Sequence, residues 1–528
     1  MKALTECVLL FLIVLFTAGC RGNKGEQVTF SDPNLEAAVR DAIAKPDGPI
    51  LRSKLTRLRK LRARDERMAD LSGIEHCTKL EMLQLELGSI SDLSPLAGLT
   101  ALRTLFLECN EIRDITPLRA LSKLSELRLG NNRVSNITAL SKLASLRSLD
   151  LMYNQVGDIA PLSKLSKLQY IDLHGNAIRD VAPLGKLTNL RWLDVSANRI
   201  WDIGALSKLG KLEQLRLAEN SVSDVNALRS LGSLRVLDLR RNWIGDISAL
   251  SALRQLRLLD LSDSRITDIT TLRKLRKLEW LALNGNQIRD VSSLRALTNL
   301  QHLFLEENRI RDIAPLSALA NLRHLYLRSN GIRDISPVNA LDKLFDLDLC
   351  DNRISDLSPL SRLSILGRLD LSDNEIADIS DIGKLTGLDT LSLVGNHISE
   401  IGPLSQLTKL TDLDLQMNQI GEITAVAQLK KLHVVFLDHN RIEDLSALRR
   451  LTRIGERKMT VSRRGGVWVC VGLSNNRISD ITPLVRNSGM GEGDGLDLRG
   501  NPLSDHSINN LIPQLQRRGV KVLYDKAE

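Results

Sequence analysis

The chain has 528 residues, of which 26% are charged and 43% hydrophobic, and its net charge is +9. Such a length usually means several domains, and such a charge can serve nucleic acid or an anionic surface. The basic residues, however, recur at fixed intervals (Lys142, Lys164, Lys186 and Lys208; Arg289, Arg311 and Arg333). This spacing marks a solvated outer face rather than a nucleic-acid site.

Met1 to Cys20 carries one early lysine, Lys2, an apolar run from Val8 to Phe16, and then Thr17-Ala18-Gly19-Cys20. The run is too short to span a bilayer. Small residues immediately before a cysteine resemble the lipobox of bacterial lipoproteins. That resemblance implies a signal peptide over 1–19, with Cys20 lipidated as the mature N-terminus and the polar stretch 20–27 as a tether. In that family an Asp after the cysteine can signal inner-membrane retention. Here the residue is Arg21, so the expected location is the cell envelope, at the outer membrane or cell surface. Of the other cysteines, Cys77, Cys109, Cys350 and Cys470 stand singly at unlike places and form neither a disulfide framework nor a zinc pattern.

Residues 28–57 read as an N-terminal cap. Asp32 can cap a helix, Pro33 suits its first turn, and Leu35, Val39 and Ile43 form one apolar face. Leu58 to Lys79 is a degenerate first copy of the pattern that follows, with Glu66 where later copies have Asn.

From Leu80 to Arg453 a 22-residue pattern runs through seventeen copies without insertion or deletion. In Leu300 to Asn321, aliphatics fall at places 1, 4, 6, 11, 14, 17 and 20, with Asn at 9 and Asp at 13. Places 1 and 20 are Leu in every copy, and place 9 is Asn in all but two, Gly88 and Ser264. This is the leucine-rich repeat pattern. Alternation around places 3 to 7 predicts one short strand per turn. The Asn can donate to and accept from the backbone of neighbouring turns. No copy holds enough apolar surface to fold alone, so 58–453 is expected to be one α/β-type solenoid, a curved array with a concave parallel β-sheet, capped at both ends. Cap and repeat together resemble bacterial internalins.

The phase is lost over 454–467 and then regained. Alternation in Lys458 to Ser462 and Val467 to Val471, around Arg464-Gly465-Gly466, predicts a basic hairpin inserted between turns. Residues 468–528 hold the terminal repeats and a C-terminal cap. Within them, Asn487 to Gly495 reads as an extended turn, followed by a helical stretch through Arg518 and a strand over Val520 to Tyr524.

Strand residues at places 3, 5 and 7 should line the concave face, with equivalents in adjacent copies ~4.8 Å apart. Seven aromatics stand at places 3 or 5: Phe106, Tyr170, Trp192, Trp280, Phe304, Tyr326 and Phe436. The partner site is expected at Trp280, His302, Phe304, His324 and Tyr326, with Arg328, Glu306 and Glu307 as a charged rim. Tyr170, Trp192, Phe106 and Phe436 are secondary binding candidates. A row at place 5, Asp150, Asp172, Asp194, Arg216, Asp238 and Asp260, is either a common strand spelling or an attractor for cations and basic partners. His302, His324 and Asp346, all at place 3, are candidate metal ligands, although strand spacing favours a line over a chelating triangle.

No nucleophile elbow, zinc-protease helix, nucleotide fingerprint or calcium loop occurs. The expected function is therefore a non-enzymatic, lipid-anchored monomer without a cofactor, binding a protein or glycan and no nucleic acid. Similarity to 22-residue-repeat regulators of protein phosphatases implies a cytosolic scaffold as the alternative. A metal-site enzyme is a third reading.

Overall fold

The computed structural model describes residues 26–64, 67–455, 462–464 and 467–525. The expected signal peptide, Cys20, most of the tether, Glu66 and the centre of the insertion lie outside these residues. No described helix is long and apolar enough to cross a membrane. The chain divides into two compact units, 1–222 and 223–528.

The first unit opens with Gln27–Val28 antiparallel to Ile50–Leu51, and with a helix over Pro33–Ala42 between them. Asp32 is the helix N-cap, accepting from the backbone N–H of Asn34 at 2.8 Å and of Leu35 at 3.2 Å. Its second oxygen accepts from the N–H of Ala69 at 2.7 Å, so one buried carboxylate starts the helix and ties it to the first turn. Leu35 and Val39 are fully buried, whereas Ile43, just past the helix end, is half-buried. Eight parallel strands follow among the described residues, from Lys60–Arg64 to Gln214–Arg216. Tyr170 lies beside Trp192 and Leu193 beside Leu215, so neighbouring strands pair at an offset of one 22-residue copy.

The second unit repeats the plan in ten strands from Val236–Asp238 to Val434–Phe436, one per copy. Three further parallel strands, Val471–Gly472, Gly495–Asp497 and Lys521–Leu523, extend it. Within each turn, places 4 and 6 point into the core (Leu303 and Leu305, both 0% exposed), and places 3 and 5 face out. A short 3-10 turn on the far side opens at the place-13 Asp. Asp312 Oδ1, for example, accepts from the N–H of Ala314 at 2.8 Å.

Asn at place 9 joins the turns. Asn308 Nδ2 donates to the carbonyls of Leu283 in the preceding turn at 2.9 Å and of Leu305 and Glu306 in its own, both at 3.1 Å. Its Oδ1 accepts from the N–H of Ile288 at 3.0 Å. The residue just before it is held in the left-handed region at each turn, including non-glycine residues such as Asn131 (φ 56°) and Glu307 (φ 53°). That conformation is costly for a side-chain-bearing residue. The hydrogen bonds on both sides of it hold it there.

The insertion forms a hairpin, Ser462–Arg464 antiparallel to Val467–Val469, with different strands from those expected: Arg464 lies in a strand instead of the turn, and Val471 belongs to the parallel sheet. Its base reaches the strand face: Val469 is fully buried and clusters with Val434 and Phe436, and Leu523 packs against them. Asn487 then takes the stapling role, donating to the carbonyls of Leu448 at 2.7 Å and Leu451 at 3.0 Å. Gly489 follows because a Cβ there would stand 2.4 Å from the Thr452 backbone. The C-terminal helix, Ile512–Arg517, leads to Arg518, whose guanidinium donates to the carbonyls of Val485 at 2.8 Å and Asn487 at 2.6 Å.

Ser264 replaces the stapling Asn, and its buried hydroxyl has no hydrogen-bond partner. Ser264→Asn is expected to stabilise the protein by roughly 1–2 kcal/mol, and Asn352→Ala, which removes four such bonds, to destabilise it by about 3 kcal/mol. Urea-unfolding midpoints of the two variants check both signs.

Candidate partner-binding site

In the second unit, strands Trp280–Ala282, His302–Phe304 and His324–Tyr326 run side by side, with Trp280 next to His302 and Phe304 next to Tyr326. All five expected residues face out and are half-buried. Two parallel stacks result. His302 and His324 lie 4.6 Å apart between centroids at 7°, and Phe304 and Tyr326 lie 4.9 Å apart at 4°. Trp280 closes one side, 5.1 Å from Phe304 at 46°. Aromatic groups at these separations attract one another, so the platform is pre-ordered before any partner arrives.

Burial, with His324 and Arg323 nearby, lowers the His302 pKa, so its imidazole is neutral near pH 7. Burial pushes the Tyr326 phenol up to about 12, helped by its hydrogen bond to Asp346 Oδ2 at 2.9 Å. At place 7 of the adjoining strands, Asn284 Oδ1 and Glu306 Oε2 are buried without a hydrogen-bond partner. Arg328 and Glu307 are exposed, so the charged rim has a dry end at Glu306 and a wet end at Arg328. Two exposed apolar residues were missed in the sequence: Phe345, 46% exposed and 6.5 Å from the His324 ring, which extends the platform, and Ile365, 52% exposed. Their signal was present, because they stand at places 2 and 22, where most copies carry polar or charged residues.

The first unit has a second, smaller platform. Tyr170 stacks on Trp192 with 4.0 Å between centroids at 10°, and the Arg216 guanidinium lies 5.6 Å from the Trp192 ring. Phe106 lies apart from this pair and is covered by Arg128 at 4.3 Å. Phe436 departs from expectation. It is 7% exposed beneath the hairpin base, so it belongs to the core and is closed to a partner.

The metal candidates His302, His324 and Asp346 stand in one row, with His324 Nδ1 4.0 Å from Asp346 Oδ2. The parallel stack turns ring faces, rather than ring nitrogens, toward each other, and Asp346 is engaged by Tyr326. The place-5 aspartates have a local role, since their carboxylates accept from the N–H two residues on: Asp150 from Met152 at 2.9 Å, Asp172 from His174 at 3.0 Å, Asp194 from Ser196 at 2.8 Å. These carboxylates are largely shielded from water. Burial, opposed by that hydrogen bond and reinforced by the neighbouring aspartates, raises Asp172 to about 7.

Parallel strands joined by short turns, with an aromatic strip on the open face, define a repeat solenoid built for binding. Models described as "Leucine Rich repeats (2 copies)" match residues 100–142, 144–186, 232–274, 276–318, 320–365 and 386–428, and one described as "Leucine rich repeat" matches 188–244. Together they cover more than half of the sequence, and the chain belongs to the leucine-rich repeat family, a family of protein-interaction modules. Among solved structures, it is similar to the plant peptide hormone receptor RGFR1 in complex with RGF2, with 23% identity and a TM-score of 0.67 over 90% of this chain and 81% of that one. A leucine-rich repeat protein of Leptospira interrogans is 21% identical, with a TM-score of 0.62 over 78% of this chain and 98% of its own. An internalin of Listeria monocytogenes is 30% identical over 73% of this chain and 96% of its own, with a TM-score of 0.43. No curated protein matches. No enzyme family is indicated.

Glu108, Asp172 and Glu306 are each raised to about 7, in every case first by burial. A carboxyl whose pKa is higher folded than unfolded contributes stability that is fully present below its unfolded pKa, near 4, and is lost as pH rises through 7. The melting temperature is therefore expected to be higher at about pH 5.5 than at about pH 8.5. Asp172→Asn should flatten that slope, which differential scanning calorimetry at the two pH values reads directly.

Proposed function

We propose that this protein is a lipid-anchored component of a bacterial cell envelope that binds a protein or glycan partner on its open strand face, through Trp280, His302, Phe304, His324 and Tyr326. The observation that carries this reading is the continuous platform those residues form. Five aromatic or imidazole groups from three adjacent strands are half-exposed, four of them in two stacked pairs with Trp280 tilted against Phe304, and none is needed for the aliphatic core. Rings held in this way bury a large area on binding at little entropic cost. The unpartnered Asn284 Oδ1 and Glu306 Oε2 beside them are acceptors that a partner's N–H or O–H groups would satisfy. Phe345, 6.5 Å from the His324 ring, extends the apolar surface on which a partner would rest. The smaller platform of Tyr170 and Trp192 is the secondary contact.

The anchor rests on Thr17-Ala18-Gly19-Cys20 and the apolar run before it. Two or more acyl chains at ~0.8 kcal/mol per buried methylene hold a protein at a membrane far longer than one chain does. Cys20→Ser is expected to move the protein from the membrane to the soluble fraction of producing cells. Retention equal to the parent's would leave the anchor without support.

Binding is tested with Phe304→Ala combined with Tyr326→Ala. A partner captured from intact cells by proximity labelling should bind this variant more weakly by about 2 kcal/mol or more. Thermal stability should stay close to the parent's, because both rings lie outside the core. Unchanged affinity, measured by calorimetry, would shift the site to Tyr170 and Trp192.

A further inference from the structure

Directly beside the platform, on the same face of the second unit, three metal-ligating side chains converge. Asp348 ends the strand Asp346–Asp348, Cys350 follows two residues later as the chain leaves it, and Asp370 is the register neighbour of Asp348 on the next strand. One oxygen of each carboxylate and the Cys350 sulfur lie within 4.8 Å of one another. This is a triangle, whereas equivalent places in successive turns give a row. It arises because place 7 here carries the only cysteine at that place in the array, next to two consecutive place-5 aspartates.

Three features set this cluster apart from an ordinary acidic patch. The thiol is 5% exposed, outside any disulfide and without a hydrogen-bond partner among the described residues, so a buried sulfur faces the two carboxylates. Both carboxylates are already oriented by backbone: Asp348 Oδ1 accepts from the N–H of Cys350 at 2.9 Å, and Asp370 Oδ1 from that of Ser372 at 2.9 Å. Each keeps its other oxygen, and orientation of this kind is what supporting hydrogen bonds give metal ligands. Finally, no ion pair engages either aspartate among the described residues. Burial first, and the mutual repulsion of the aspartates next, raises the Asp348 carboxyl, and burial pushes the Cys350 thiol up to about 12. A divalent cation would reverse both effects.

The place-7 residue decides which turns offer this arrangement. Asp172, His174 and Asp194 occupy the same three places in the first unit, but there the His174 ring is drawn away to the Tyr153 hydroxyl at 2.9 Å. Around Cys350 no described side chain draws the sulfur away in that manner, and the nearby Arg328 guanidinium acts on both Cys350 and Asp348.

We propose that Asp348, Cys350 and Asp370 form a binding site for a thiophilic divalent cation of the zinc type, with at least one coordination position open to the strand face. One thiolate and two carboxylates suit zinc better than calcium or magnesium, which take oxygen ligands. Tetrahedral bonds of about 2.3 Å to sulfur and 2.0–2.2 Å to oxygen put donors roughly 3.5 Å apart. Binding then asks for a contraction of about 1 Å, within reach of side-chain rotation. The thiol proton leaves to solvent as the metal–sulfur bond forms, so one proton is released per ion bound. Tyr326 is the register neighbour of Asp348 on the side away from Asp370. The proposal stands independently of the partner site.

The test is titration of the reduced full-length protein with cadmium chloride alone, followed by competition with zinc. One equivalent should produce the ultraviolet charge-transfer band of a cadmium–thiolate bond, and zinc should abolish it. Cys350→Ser should lose the band, Cys109→Ser should keep it, and Asp370→Asn should bind cadmium at least tenfold more weakly. A band unchanged in Cys350→Ser, or affinity unchanged in Asp370→Asn, overturns the site, as does a parent protein without a band. Partner binding is not read in this experiment, so its outcome and that of the platform variants remain separate.

Discussion

One constraint shapes both units: every turn leaves the strand through a conformation that exposes buried backbone groups, and those groups must be paired. The place-9 Asn meets that demand with four hydrogen bonds, three donated and one accepted, which reach into the preceding turn as well as its own. An unpaired buried carbonyl or N–H costs more than a formed bond returns. The amide is therefore nearly invariant along the array, whereas the outward residues vary freely. The left-handed residue before each Asn is tolerated for the same reason. Glu307, Asp351 and His439 accept φ near 55° because the bonds on both sides leave no other path.

Once the backbone is held in this way, the strand face becomes a grid. Register along the sheet places like positions side by side, and alternation within the strand separates core from surface. Stacks such as Phe304 on Tyr326 need no dedicated scaffold, since two aromatics at place 5 of consecutive turns meet as a consequence of pairing. The same grid turns a commonplace strand spelling into pressure on its carboxylates. Aspartates repeated at place 5 sit beside one another in half-dry surroundings: burial raises the carboxyls of Asp150, Asp172 and Asp348, and neighbouring aspartates add to it at the last two. One rule of placement thus produces an aromatic strip and, on the adjoining strands, a polar cluster.

The ends depart from the grid where it would otherwise expose strand edges. At the N-terminus, Asp32 serves helix and first turn together. Toward the C-terminus the inserted hairpin brings Val469 over Val434 and Phe436, which converts two outward places into core. The insertion therefore has a structural effect that its basic composition did not suggest. It sets where the open face ends.

The sequence by itself determined the solenoid, the stapling Asn and which five residues share the outward face of three adjacent strands, because each follows from a period and a period fixes which side of the chain a residue faces. The hairpin, too, was legible from alternation around Gly465-Gly466. Only the tertiary structure decided that Phe436 is covered, that the two imidazoles stack face to face, and that Asp348, Cys350 and Asp370 converge. These outcomes depend on what lies across from a residue, on side-chain rotation and on an inserted segment folding back over the sheet. None of these has a period, so none can be read along the chain.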